Sequence, residues 1–214
     1  GEGVSGQILI VPEQYSHTAE RALCRTGGGT ISRYAEVLSF TRLARRVADS
    51  MGSAAEECLD NGGRVVAMAA AAKNLSSRLK AYAAVETKPE FLTGLIDAVD
   101  EFKRCCISSA DLSRAAGETE GSLAQKLEEL SLLMESYDAL CSRGKRDPRD
   151  QMTWLLEQME QGDFARAHVF YIDGFPDFTR QHLAILEHLI QASPDVTVSL
   201  NCDRESSHLL AFEK

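Results

Sequence analysis

The chain has 214 residues, 44% of them apolar and 26% charged, which excludes a dominantly disordered polymer and allows one large domain or two small ones. Its net charge of −9 argues against an autonomous duplex-DNA binder, which carries a basic footprint. No apolar run approaches the roughly 20 residues of a membrane helix, and Gly1–Gly6 has neither the basic nor the apolar region of a signal peptide, so a cytoplasmic protein without membrane contact is expected.

The charge is uneven. Residues 1–54 hold six arginines against five carboxylates, and the remainder holds seventeen basic against twenty-seven acidic residues. The first segment is therefore the better candidate for meeting nucleic acid. The chain does not begin with Met, which reads as a processed or truncated end. Six cysteines stand at positions 24, 58, 105, 106, 141 and 202. None forms a Cys-x-x-Cys pair and no His lies at ligand spacing, so no zinc site is expected; reduced, buried structural thiols are.

Gln7–Val11 (QILIV) reads as a buried strand closed by Pro12, which lacks an N–H and disfavours helix at Val11. Ala19, Ala22 and Leu23 mark a helix over 15–25, broken by Gly27-Gly28-Gly29. Ala35–Leu38 is a second strand. Ser39 is a fitting N-cap for a helix whose Phe40, Leu43, Ala44 and Val47 recur at i, i+3, i+4 and i+7. The first 50 residues thus read β-α-β-α.

From about 55 to 162 the pattern is helical only. Val65, Met68, Ala69, Ala72, Leu75, Leu79 and Tyr82 mark one long helix, and Phe91, Leu95, Val99 and Phe102 another. Ser122-Leu123-Ala124-Gln125 matches a capping box and opens a third through Leu127, Leu130, Met134 and Tyr137. Met152, Leu155, Leu156 and Met159 mark a fourth near 149–161. Four amphipathic stripes predict a helical subdomain packed on itself. The β/α pattern then resumes: a strand at His168–Ile172, a helix over 179–192 with Leu183, Leu186, Leu189 and Ile190 on one face, and a strand at Val196–Leu200. The expected fold class is α/β, a parallel sheet over 1–54 and 163–214 interrupted by a helical insertion over 55–162.

Parallel α/β sheets bind ligands outside the carboxyl ends of their strands. Two such ends have unusual sequences, Val11-Pro12-Glu13-Gln14 and Ile172-Asp173-Gly174-Phe175-Pro176-Asp177-Phe178. An Asp ending a parallel strand is where nucleoside triphosphatases hold Mg²⁺. Strand-Asp-Gly is also an ordinary turn signal.

At these residues a resemblance emerges. Leu38-Ser39-Phe40-Thr41-Arg42-Leu43-Ala44 is similar to the Thr-Phe-His-x-Leu-Ala motif of superfamily-one helicases, and Asp173-Gly174-Phe175-Pro176-Asp177 to their Asp-Glu-Phe-Gln-Asp motif. Ile8–Gln14, Val37–Leu43 and Ile172–Phe175 together closely resemble the N-terminal region of the AddB/RexB family, the B subunits of bacterial ATP-dependent helicase–deoxyribonucleases. Tyr137, with Arg146-Asp147-Pro148-Arg149-Asp150 after it, resembles the end of that family's helical insert.

The resemblance implies an incomplete RecA-like motor domain with its helical insertion (1A-like and 1B-like). It implies work on double-strand DNA ends in recombinational repair, Chi responsiveness and an AddA-like helicase/nuclease subunit as heterodimer partner. For the parent protein it implies ATP with Mg²⁺, and an iron–sulfur cluster in a C-terminal nuclease domain of which nothing is seen here. DNA-contact candidates are Glu13, Gln14, Ser39, Phe40, Thr41, Arg42, Arg45 and Arg46; Asp173 is a vestigial Walker-B-like Mg²⁺ ligand.

Three departures qualify these implications. The Gly-Lys-Ser/Thr loop that cradles phosphates is missing before Gln7. Gly174 stands where active helicases carry the Glu that activates water, and it has no group for that task. A second motor domain would lie beyond Lys214. The isolated chain is expected to be catalytically inactive and to serve as a DNA-channel and partner scaffold. Two alternatives stand beside it, a truncated active ATP-driven translocase domain and a plain helical interaction module. Bland readings stand as well: Glu13-Gln14 as a strand end and cap, the arginines as a solvated helix face, Asp173 and Asp177 as turn and N-cap residues, and Phe40, Phe175, Phe178 and Trp154 as core.

Overall fold

A computed structural model describes residues 6–28, 30–52, 58–83, 88–143 and 145–200. The chain divides into two compact units, one of residues up to 55 and from 152 onward, the other of residues 56–151. The sequence reading carries the insertion to residue 162; the helical unit ends at Gln151, and the helix that follows packs into the first unit's core.

The first unit is built on four parallel strands, β1 (Gln7–Ile10), β2 (Ala35–Leu38), β3 (Val169–Ile172) and β4 (Val196–Val198), in the order β2-β1-β3-β4. Gln7 pairs with Ala35 on one side and Val169 on the other; Ile10 pairs with Leu38 and Ile172. Successive side chains alternate between faces. Ile8, Ile10, Leu38, Phe170 and Ile172 therefore share one face and are buried under α2 (Phe40–Ser50), α7 (Gln151–Gln161) and α8 (Arg180–Ala192). This is the α/β class with an all-parallel sheet that the sequence predicts.

The opposite face is less covered. Helix α1 (Ser16–Gly27) packs on β2, yet Ser16 is its one buried residue. Ala19, Ala22 and Leu23, whose spacing marks this helix in the sequence, are partly or fully exposed. Tyr171 on the same face is 37% exposed. A trough of about 340 Å³ runs over Leu9, Leu23, Tyr171 and Thr197.

Helix α8 also departs from expectation. Ile185, Leu186 and Leu189 face the core, while Leu183 and Ile190 are exposed, so the stripe is rotated relative to the sequence reading. Its N-cap is Thr179, whose hydroxyl accepts from His182 N at 3.2 Å, not Asp177. Trp154 is partly buried against this same core, as expected.

The second unit comprises α3 (Asn61–Asn74), α4 (Pro89–Arg104), α5 (Ser109–Gly117) and α6 (Gly121–Cys141) around a core of Met68, Leu75, Leu92, Leu95, Leu112, Leu133 and Tyr137. Helix α3 stops at Asn74, short of the expected end, because Glu129 of α6 takes the amides of Lys80, Ala81 and Tyr82 at 3.0 Å each. Leu75 and Leu79 still reach the core from the turn that follows. On α4 the buried stripe is Leu92, Leu95, Ile96 and Val99, leaving Phe91 half exposed.

Helix α5 escapes the sequence reading. Only Leu112 and Ala116 of it are buried, too few to show a period, although Ser108 and Asp111 form a reciprocal capping box. The box expected at Ser122 does not form. Helix α6 starts after Glu120 without a side-chain cap, and Gln125 instead donates to Glu129.

Of the described cysteines only Cys141 is buried, where the sequence predicts buried thiols throughout. Burial pushes its thiol up to about 11. Cys24, Cys58 and Cys106 are exposed, because each sits on an outward helix face or in a connecting segment.

Candidate functional site

Two backbone bonds bring three strand ends together. Val11 N donates to Leu38 O at 3.0 Å and Asp173 N to Ile10 O at 2.9 Å. Pro12–Gln14, Ser39–Phe40 and Asp173–Gly174 thus follow directly on neighbouring parallel strands, the arrangement a plain helical module would lack. The chain leaves β1 toward β2 on one side and later returns to β3 on the other. The gap between β1 and β3 is therefore the sheet's topological switch point, where open α/β sheets bind ligands. A groove of about 410 Å³ opens there, lined by Pro12, Tyr15, Thr18, Ala22, Asp173 and Gly174.

The β1 end turns because Pro12 cannot extend the ladder. It enters a 3₁₀ turn at Glu13–Tyr15, and Ser16 Oγ donates to Glu13 O at 2.9 Å. The Glu13 carboxylate accepts a hydrogen bond from Ser39 Oγ, and Ser39 Oγ in turn accepts from Arg42 N at 3.2 Å. One carboxylate thereby ties the β1 end to the start of α2. Gln14 and Thr41 are exposed beside it.

Ser39 is 3% and Phe40 4% exposed. Ser39 caps the helix, and Phe40 stacks on His182 at 4.4 Å and lies 5.5 Å from Phe175. These two candidates for DNA contact are committed to structure instead, since neither presents a surface to a ligand. His182, to which the sequence assigns nothing, is the ring Phe40 packs on. Burial holds its pKa below the usual histidine value, against the pull of Asp177.

The three arginines of α2 differ. Arg42 pairs with Glu20 at 2.9 Å. Arg46 pairs with Glu36 at 3.1 Å and lies 5.8 Å from the Phe164 ring centre. Arg45 is exposed and makes no ion pair among the described residues. Glu20 and Glu36 lie 22 and 10 positions from their partners, so no local spacing marks them in the sequence.

Asp173 is exposed and its carboxylate accepts from Ser199 Oγ. Magnesium bound with phosphates takes one or two carboxylates and completes its shell with water and phosphate oxygens. Asp173 with Ser199 fits such a partial anchor. No group of three metal-ligating side chains exists among the described residues, so the donor set is short of an all-protein site. Asp173 would bind the ion and Ser199 would orient that carboxylate.

Gly174 has φ of 78°, a conformation L side chains rarely adopt, while an added Cβ would meet only Pro12 Cδ at 3.7 Å. The space is adequate and the backbone is not. Gly174→Ala is accordingly expected to cost about 1–2 kcal/mol of stability, read as a lower urea midpoint. An unchanged midpoint would show that the turn relaxes freely.

The fold and site define a class: a parallel α/β unit with its switch point at an Asp-Gly strand end, carrying a helical unit between its second and third strands. Similarity to known proteins narrows the class. A family described as "ADDB, N-terminal" matches residues 3–212. The chain is 32% identical over 92% of its length to the B subunit of the ATP-dependent helicase/deoxyribonuclease of Thermoanaerobacter sp. (strain X514). It is 31% identical over 97% of its length to the protein of that name in Moorella thermoacetica, and 28% identical over 94% to that in Clostridium acetobutylicum. The chain belongs to the AddB N-terminal family. It spans 17–19% of the length of these relatives, so their names describe much larger proteins. No helix among the described residues is long and apolar enough to cross a membrane.

Proposed function

We propose that this chain is the helicase-like N-terminal portion of an AddB-type subunit, acting in double-strand DNA break resection and recombinational repair. In this reading it is a RecA-like core with a 1B-like helical insertion. It shapes a DNA channel and an interface with an AddA-like partner subunit rather than turning over ATP. The observation that carries the reading is the cluster of three parallel-strand ends at the sheet's switch point, with glycine at position 174, where hydrolysis would need a group that activates water. Membership in a family whose full-length relatives are named for a helicase/deoxyribonuclease supports the DNA role.

DNA contact falls to Glu13, Gln14, Thr41, Arg42, Arg45 and Arg46, with Arg45 leading because its guanidinium is exposed and pairs with no carboxylate among the described residues. Arg42 and Arg46 would have to exchange Glu20 and Glu36 for phosphate. Arginine suits phosphate through its forked donors.

The test uses the full-length AddB-type protein in complex with its partner. Arg45→Ala is expected to weaken single-stranded DNA binding several-fold at about 0.1 M salt and to reduce the salt slope by about 1. Asp173→Asn is expected to leave ATP turnover of the complex unchanged. A DNA affinity and salt slope that do not move would remove the contact assignment. A fall in turnover with Asp173→Asn would favour the alternative, an ATP-driven translocase domain with a living magnesium site.

A further inference from the structure

Between α6 and α7 the chain crosses residues 145–150 and then leaves the helical unit at Gln151. No residue of this return segment belongs to the unit's apolar core, whose last members in sequence are Leu140 and Cys141. What holds the segment is polar. Leu59 N donates to Arg146 O at 2.8 Å, and Cys58 bridges Arg146 where the chain enters the unit. Entry and exit are thus joined at one root.

Behind that root lies a buried ionic cluster. Asp147 is completely buried. Its carboxylate meets Lys103 Nζ of α4 at 3.3 Å and Arg64 Nη2 of α3 at 3.4 Å, and it accepts from Arg149 N at 2.9 Å. Asp100 of α4 binds both Arg64 and, at 2.8 Å, Arg149 Nε. Lys103 also meets Asp150 at 2.7 Å and Asp138 of α6 at 2.8 Å. Arg64 Nε donates to the Tyr137 hydroxyl of α6 at 3.2 Å. Three helices and the return segment share these seven charges.

We infer that this cluster is a latch, a conformational device that holds residues 145–150 on α3, α4 and α6 and can open without unfolding the apolar core beneath it. The two parts are separable in kind. The core is held by hydrophobic burial among α3–α6, and the return segment by ion pairs and hydrogen bonds. Proteins open in such contiguous units at differing free energies.

The latch depends on pH. Burial works against the charge of Asp147, but Lys103, the Arg149 amide, Tyr137 and Arg64 outweigh it and hold its carboxyl below the ordinary range. Burial raises Asp150, with Asp147 and Asp138 adding to that and Lys103 opposing it. A depressed carboxyl contributes stability above its unfolded pKa, about 4, and loses it as pH falls through the lower folded value. The raised Asp150 contributes in the opposite sense, favouring the closed form only where it is protonated. The groups facing Asp147 are Arg64, Lys103, Tyr137, Cys141, Asp150 and the Arg149 amide. The pH dependence of the latch is therefore set by Asp147 and Asp150, which act in opposite senses.

Hydrogen exchange on the 214-residue chain tests this, with Asp147→Asn and the milder Arg149→Gln. Amides of 145–150 are expected to exchange at least about tenfold faster in Asp147→Asn at pH 7, with core amides of α5 and α6 changing less than about twofold. Arg149→Gln, which removes the Nε bond of a half-exposed side chain to Asp100, is expected to give a smaller effect confined to the same amides. Unchanged exchange in 145–150 would overturn the latch. So would equal acceleration through the whole helical unit, since the cluster would then be part of the global fold. If Asp147→Asn does not fold, Arg149→Gln decides between the same outcomes.

Discussion

Phe40→Ala is expected to destabilise the first unit by about 3–5 kcal/mol, the range for deleting a buried phenylalanine ring. The ring is 4% exposed and packed between His182 and Phe175. Its loss leaves a cavity that α2 cannot close, because the neighbouring Leu43 and Val47 are themselves fully buried in the same core. Trp154 is the sole tryptophan and lies partly buried against this cluster, so its fluorescence reports the unit's unfolding in urea. The surface neighbours Thr41→Ala and Arg45→Ala are expected to stay within about 0.5 kcal/mol of the parent. That contrast separates two roles that one motif superimposes: a residue that builds the strand-end cluster and residues that can touch a ligand on it. If Phe40→Ala unfolds at the same urea concentration as Thr41→Ala, the ring is not a core element and returns to the contact candidates. His182 adds a pH dependence. Its folded pKa is depressed by burial, so the stability it contributes is present above about 6.5, the unfolded value, and is lost as pH falls.

The strand-end cluster is legible in the sequence because its signals are local. Four short apolar runs, each ended by Pro12, Ser39, Asp173 or a polar loop, suffice to place β1 to β4, and an all-parallel order follows from their alternation with helices. The family motifs occupy those same ends. Side-chain partnership across the sheet has no such signal. Ser39 sits in the motif as a candidate contact, yet its hydroxyl is taken by Glu13, 26 residues away. The phases of α4 and α8 depart from the sequence pattern for a related reason. Phe91, Leu183 and Ile190 are as apolar as the residues that are buried, and only tertiary packing selects Leu92, Ile96 and Ile185 instead. Helix α7 shows the same limit at the level of units. Its period is clear, but nothing in the period states which core it joins.

Glu129→Ala is expected to destabilise the helical unit strongly although it removes no apolar core residue. Glu129 is 4% exposed in the middle of α6, and a charged residue is rarely buried without dedicated partners. Its partners are the amides of Lys80, Ala81 and Tyr82, each at 3.0 Å, with Gln125 Nε2 also donating at 3.0 Å. Burial raises the pKa of the carboxyl, but these bonds outweigh it and leave the group below its ordinary value. Removing the carboxylate takes the acceptor from three backbone donors at once, in a turn anchored in the core by Leu75 and Leu79. With about 1 kcal/mol for each lost hydrogen bond, a total loss on the order of 3 kcal/mol is expected, against less than about 0.5 for the exposed Glu135→Ala. Glu129→Gln keeps an acceptor oxygen and should recover part of the loss. The depressed pKa sets the pH sign: the contribution is present above about 4.3 and disappears as pH falls through the lower folded value. Urea midpoints at pH 7 and pH 3 measure both effects. A Glu129→Ala midpoint equal to that of Glu135→Ala at pH 7 would mean that the 80–82 turn finds other acceptors. The early end of α3 would then need a cause other than this carboxylate.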